Sequence, residues 1–137
     1  MHELISIKTI QAEGKGRLSF FEATRDIPFE IKRVYYIHGV DEGVERGGHA
    51  HKTLEQFLFC PFGSVEVVLD NGSGMKESFL LDNPSVGLYV PLCLWRDMIW
   101  REKDSVLCVV ASEFYDETEY IRDYDEFVEY SNGRGEK

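Results

Sequence analysis

Apolar positions along the chain recur at short intervals, mostly with a period of two. Val65-Glu66-Val67-Val68-Leu69-Asp70 alternates apolar with polar positions and runs into Asn71-Gly72, a strong hairpin signal. Val106-Leu107-Cys108-Val109-Val110-Ala111 is apolar on both faces, as a strand in the middle of a sheet must be. Segments 31–37, 54–60, 76–81 and 86–90, rich in Val, Ile, Phe and Tyr, complete the predicted main strands. Turns are marked by Gly14-Lys15-Gly16, the glycines between 39 and 48, Gly63-Ser64 and Asp82-Asn83-Pro84. The pattern changes only in the tail, where Tyr120, Ile121, Tyr124, Phe127 and Val128 recur at helical spacing after the acidic start Asp116-Glu117. This predicts one short C-terminal helix, with residues 131–137 fraying. Many short strands without a long helix imply an all-β sandwich or barrel.

Composition narrows the class. The chain has 137 residues, 43% hydrophobic with 13% aromatic, enough for one core. The expectation is a single domain over 1–137, with a barrel core over about 5–115 and a helical tail over about 116–130. The longest nearly apolar stretch, 86–95, is broken by Pro91 and far shorter than the roughly 20 residues of a membrane-spanning helix. The first residues lack the basic, apolar and small-residue blocks of a secretory signal, so a cytoplasmic location is expected. Cys60, Cys93 and Cys108 stand apart in apolar settings, which suggests neither disulfides nor a thiolate metal site. A formal charge of −10 argues against a nucleic-acid partner, and a phosphate-bearing small ligand would need a local basic pocket.

The segment 43–56 carries the most chemistry. His49 and His51 are two residues apart, so on a strand both imidazoles point to one face and converge on one cavity. H-x-H alone is weak, but Gly43, five residues, His49-x-His51 and a later Gly63 resemble the first cupin motif. Two registers are open for its acidic ligand. Glu55 leaves one residue too many before Gly63, whereas the expected spacing lands on the amide Gln56. The best match to the second motif is Pro91-Leu92-Cys93-Leu94-Trp95-Arg96, with Cys93 replacing a glycine and Arg96 replacing the last metal-binding histidine. A guanidinium has no lone pair for a metal and its charge opposes a divalent cation. Metal-dependent chemistry is therefore disfavoured, and an imidazole free of metal can shuttle protons.

Several further segments carry a family resemblance. Residues 31–37 (Ile-Lys-Arg-Val-Tyr-Tyr-Ile), Arg46-Gly47-x-His49-Ala50-His51-Lys52, Val86-Gly87-Leu88-Tyr89, Trp95-Arg96-x-Met98 and Tyr115-Asp116-Glu117-Thr118-x-Tyr120-Ile121-Arg122-x-Tyr124 closely resemble the dTDP-4-oxo-6-deoxy-D-glucose 3,4-ketoisomerases, WxcM-like members of the cupin superfamily. The likeness spans about 27–127. It implies a cupin or jelly-roll barrel, a homodimer with exchanged strands, no cofactor, a dTDP-linked keto sugar as substrate, and a pathway to 3-amino sugars of O-antigen-like polysaccharides or glycosylated metabolites. By resemblance, His49 moves the proton between C3 and C4 of the sugar, His51 is the second active-site histidine, Tyr35 is an acid/base partner, and Arg46 binds an anion or the enediolate. Gly48 departs from the pattern, where family members carry Phe or Tyr, and this implies a more open active-site wall.

The chemistry suits these residue types. A base removes the proton alpha to the C4 ketone, the enediolate is reprotonated at the neighbouring carbon, and no redox cofactor is needed. Guanidinium or phenol donors stabilise the oxyanion, and the diphosphate needs cations, for which Arg17, Arg33, Arg46 and Arg96 are candidates, with Gln56 beside them. Arg17 and Arg33 also read as surface charges, although alternation places Arg33 on the face of Tyr35. Only one of Tyr35 and Tyr36 can reach the cavity from a regular strand. His2 and His38 lack a supporting pattern, the acidic tail reads as a solvated face whose tyrosines pack on the barrel, and Trp95 and Trp100 read as core or interface. The rival enzyme is a dTDP-sugar 3,5-epimerase, whose chemistry begins the same way; the H-A-H pair and the Y-D-E-T-x-Y-I-R tail favour ketoisomerase. A non-catalytic sugar-nucleotide-binding cupin is the alternative from another class.

Overall fold

The computed structural model describes residues 2–135. Two five-stranded antiparallel sheets form the jelly roll. The first runs β1 (Glu3–Ser6), β9 (Val86–Val90), β6 (Gln56–Phe62), β11 (Val106–Ala111) and β4 (Arg33–Ile37) from edge to edge. The second runs β12 (Tyr120–Ile121), β5 (Glu45–His51), β10 (Trp95–Trp100), β7 (Val65–Asp70) and β8 (Lys76–Leu81). A separate hairpin, β2 (Lys8–Ala12) with β3 (Gly16–Phe20), joins neither sheet. The predicted strands 65–70, 76–81, 86–90 and 106–111 form with those limits, and a lone C-terminal helix, α1 (Tyr124–Gly135), follows. No helix among the described residues is long and apolar enough to cross a membrane.

Alternation explains the packing. Val65, Val67 and Leu69 of β7 turn inward against Met98, Trp100, Leu58 and Leu107, closing the core between the sheets. Trp100 is fully buried, and its indole N–H donates to the Ser105 carbonyl at 2.8 Å. The opposite face of the first sheet is covered by Ile7, Ile27 and Phe29 packing on Phe57, Tyr89 and Val110. Outside the second sheet, Trp95, Ala50 and Ile121 receive Phe127 of the helix.

The tail departs from expectation. Instead of a helix from residue 116, Asp116 caps a single 3-10 turn over Glu117–Glu119, and Tyr120–Ile121 pairs with His51 and Ala50 of β5. The non-local ladder overrides the helical spacing. The helix starts only after Asp123, whose carboxylate accepts from the Asp125 amide at 2.9 Å, as an N-cap does. It continues through residues expected to fray, because the Ser131 hydroxyl donates to the Asn71 carbonyl at 3.0 Å and the Tyr124 phenol to Asp70 at 2.7 Å. Residues 136–137, also expected to fray, lie outside the described residues.

Gly87 shows how tight the first sheet is. A methyl group at this position would overlap the buried Phe57 ring. Gly87→Ala is therefore expected to destabilise the fold by about 1–3 kcal/mol through overpacking, seen as a lower urea midpoint with an unchanged slope.

Candidate active site

A cavity of about 520 Å³ opens between the first sheet's edge strand β4 and the β5–β12 side of the second. Arg33, Tyr35 and Ile37 line it from β4, Arg46, Gly47 and His49 from β5, Met98 from β10, and Tyr115, Tyr120 and Arg122 from the C-terminal segment. Among the described residues, three guanidinium groups and no carboxylate face it. A protein of net charge −10 thus holds a local basic pocket, the condition expected for a phosphate-bearing ligand.

Strand parity delivers the histidines together. The imidazoles of His49 and His51 meet edge to face with centroids 5.0 Å apart. His49 lines the cavity, whereas His51 is completely buried behind it. Neither ring nitrogen of His51, nor Nδ1 of His49, has a hydrogen-bond partner in the structure. Tyr35 faces inward, while Tyr36 is 62% exposed and packs on His38, as one strand requires.

Behind the imidazoles lies Arg96, opposite His49 in the β10–β5 ladder and wholly buried. Its Nη1 donates to Gln56 Oε1 at 2.5 Å, and its Nη2 and Nε donate to the Leu94 carbonyl at 2.8 and 3.2 Å. Gln56 Nε2 in turn donates to the Tyr35 phenol oxygen at 3.2 Å. Arg96 and Gln56 therefore do not reach the cavity wall as the expected substrate contacts; they form the support under it. The motif register is also resolved. Glu55 points to the outer face, where it accepts a hydrogen bond from Tyr89, and Gln56 takes the inward position. With a buried guanidinium and an amide in place of two ligands, the residues here do not fit a divalent ion. Among the described residues no three His, Cys, Asp or Glu side chains come together for a metal.

Burial, reinforced by the Arg96 charge, lowers the imidazole pKa values to about 4 at His49 and about 2 at His51. Both are neutral near pH 7 and able to accept a proton. Burial lowers Arg96 to about 10, which leaves it charged, and raises the Tyr35 phenol, which leaves it a donor.

One expectation is corrected by position, and another is not met within a single chain. Gly48 is the unpaired residue of a bulge between β5 and β10, at φ +70°, and a side chain there would point toward Asp97 and Trp95 rather than into the cavity. It does not open the wall; it lets the strand bend where Gly47, at φ +93°, lies too close to the Arg96 carbonyl for any side chain. Arg17 sits on the exposed hairpin and is not among the residues lining the cavity of its own chain. Tyr115, Tyr120 and Arg122 were missed as site residues. The tail spacing read as helix concealed them, although all three lie in the segment that carried the family resemblance.

A family model described as FdtA, WxcM-like, C-terminal, matches residues 1–132. The chain is 46% identical over 129 residues to a TDP-4-oxo-6-deoxy-alpha-D-glucose-3,4-oxoisomerase of Aneurinibacillus thermoaerophilus, covering 94% of this chain and 91% of that one. Its fold is similar to a mutant of the 3,4-ketoisomerase QdtA from Thermoanaerobacterium thermosaccharolyticum in complex with TDP-4-keto-6-deoxyglucose, at a TM-score of 0.92 and 44% identity, over 97% of this chain and 95% of that one. The WlaRB TDP-quinovose 3,4-ketoisomerase of Campylobacter jejuni is similar at a TM-score of 0.88 and 41% identity, over 93% of this chain and 97% of that one.

The neutral histidines set a pH dependence of stability. Their folded pKa values lie below the ordinary value of 6.5, so between about pH 6.5 and 4 the unfolded chain binds more protons, and stability falls as pH falls; His51 extends the loss toward pH 2. Thermal melts from pH 7 to 4 should show this decline. His51→Asn, which removes one of the two titrations, should lower the starting stability but flatten the slope.

Proposed function

The chain belongs to the WxcM-like FdtA family and is a sugar-nucleotide 3,4-ketoisomerase, and on that premise we propose how its own residues move the ketone of dTDP-4-oxo-6-deoxy-D-glucose. His49, the one imidazole on the cavity wall, removes the C3 proton, and the electrons pass to the C4 carbonyl to form an enediolate. The Tyr35 phenol stabilises the oxyanion. The proton returns from His49 to C4 as the C3 hydroxyl gives up its own proton and becomes the ketone. The net result is one hydrogen moved from C3 to C4 and one from O3 to O4, with no electron acceptor required. His51 stays behind as a neutral support, Arg33 and Arg46 bind the diphosphate, and the product is a dTDP-3-oxo-6-deoxyhexose fit for transamination to a 3-amino sugar in the cytoplasm. The observation that carries this reading is the pairing of a proton-accepting imidazole with a carboxylate-free basic cavity.

Incubating the protein with the 4-oxo sugar nucleotide and following the sugar by NMR should show the ketone moving to C3; inversion with the ketone still at C4 would mean an epimerase, and no change a binding protein. His49→Asn should cost at least about 10²-fold in turnover, with TDP affinity nearly unchanged. It should also abolish exchange of the C3 proton in deuterated water, and exchange at the parent rate would show that His49 is not the base.

We further propose a strand-exchanged homodimer that brings Arg17 to the site. The β2–β3 hairpin pairs exposed Ile10 with exposed Leu18 on one face and Gln11 with Arg17 on the other. Strand β4 is an unpaired sheet edge, with exposed Val34 and Tyr36 outward and Arg33 and Tyr35 toward the cavity. A hairpin from a second copy laid along that edge would cover Val34 and Tyr36 with Ile10 and Leu18, and turn Arg17 to the cavity face. Light scattering at micromolar concentration should report a dimer. Co-expressed Arg17→Ala and His49→Asn chains should recover activity that neither variant has alone, because each mixed dimer contains one intact site; no recovery would place Arg17 outside the partner's site.

A further inference from the structure

The imidazole of an acid–base pair is ordinarily oriented by a hydrogen bond to its second nitrogen. Here His51 has no partner at either nitrogen and His49 none at Nδ1, so another contact must fix their rings. Tyr120 supplies it. It stands directly across from His51 in the β12–β5 ladder, with its ring 4.4 Å from the His51 ring and 5.3 Å from the His49 ring, at 64° and 78°. These are edge-to-face contacts on both imidazoles at once.

Tyr120 is itself held from several directions. Arg122 stacks over its ring at 4.4 Å and is clamped by two 3.0 Å bonds to Glu117. The preceding Glu119 carboxylate accepts from the Thr53 amide at 2.8 Å, the Thr53 hydroxyl at 3.0 Å and the Leu54 amide at 3.0 Å, just beyond His51. The following Ile121 is buried. A two-residue strand with this many anchors is set in place rather than loosely laid on the barrel.

We propose that Tyr120 is a positioning residue, whose ring orients both imidazoles in place of the missing hydrogen bonds, with Glu119 fixing the strand that carries it. The catalytic consequence rests on the proton-carrying role given to His49; the orienting role does not. The phenol hydroxyl takes no part, so ring and hydroxyl are separable by substitution.

The test compares Tyr120→Leu, which keeps bulk without a ring, with Tyr120→Phe. Tyr120→Leu should lower kcat by about tenfold to a hundredfold, the scale of a misplaced catalytic group, with little change in TDP affinity. Tyr120→Phe should stay within about threefold of the parent. On the ligand-free proteins, NMR cross-relaxation among the aromatic ring protons should show one fixed His51 ring orientation in the parent and in Tyr120→Phe, and an averaged one in Tyr120→Leu. Glu119→Ala, which leaves every cavity-lining side chain intact, should move ring orientation and kcat in the same direction and keeps the question answerable should Tyr120→Leu fail to fold. Unchanged ring orientation and kcat in Tyr120→Leu, or in Glu119→Ala where it alone folds, would overturn the proposal, as would a Tyr120→Phe loss equal to that of Tyr120→Leu. A parent that does not turn over the keto sugar would instead overturn the functional reading and leave the ring-orientation comparison to decide the orienting role.

Discussion

A guanidinium with no carboxylate partner sits inside this barrel, and most of the site is arranged around it. Arg96 is wholly buried, where an uncompensated charge costs several kcal/mol of desolvation. It is held by the Leu94 carbonyl and by Gln56, and a carboxylate at position 56 would have neutralised it more cheaply. The amide has a different use. It accepts from Arg96 on one side and donates to Tyr35 on the other, so the charge fixes the phenol while remaining uncancelled. Burial, reinforced by an uncancelled cation behind them, keeps the two imidazoles unprotonated. The arrangement costs stability and holds the imidazoles in their neutral form.

How much of this can be read from sequence depends on how local the determining contacts are. Strands β7, β8, β9 and β11 follow from alternation and turn residues, which act over a few positions. Strands β2 and β3 did not stand out, because Lys8-Thr9-Ile10-Gln11-Ala12 has a single large apolar side chain and its apolar face finds no cover within the chain. Strand β10 was hidden by Arg96 and Asp97, charged residues in a strand that is otherwise largely buried. The tail is the plainest case. Its aromatic spacing satisfies a helix locally, yet Tyr120 and Ile121 pair with His51 and Ala50, far back in the chain. Tertiary pairing won, as it does when a segment completes a sheet edge.

The same distinction holds within the site. His49 and His51 share a face by parity on β5, alternation on β4 turns Tyr35 to the same cavity as His49, and the replacement of metal ligands by Gln56 and Arg96 was visible in the motif spacing. What spacing did not convey was depth: Arg96 and Gln56 support the wall, and Gly48 bends the strand rather than opening it. Cys93 is another position where geometry explains a departure. It adopts φ 61° where the motif has glycine, so the left-handed turn survives with a side chain that tolerates it poorly.

The low imidazole pKa at His49 raises a question of catalytic strength, since a base of pKa about 4 is a poor match for a carbon acid. The cavity's charge resolves it. Burial opposes protonation of His49 most, and Arg96 and Arg122 add to it. On the proposed reading, a diphosphate bound by Arg33 and Arg46 brings at least two negative charges to the same wall. Those charges would offset the nearby guanidinium groups and favour the imidazolium against the burial that opposes it, moving the His49 pKa upward toward the range where proton transfer in both directions is efficient. Substrate charge then becomes part of the catalyst: a sugar lacking the diphosphate would meet a weaker base as well as a weaker binding site. This makes the nucleotide diphosphate more than a handle, and it follows from placing three arginines and no carboxylate around an imidazole whose neighbour across the ladder is already a buried cation.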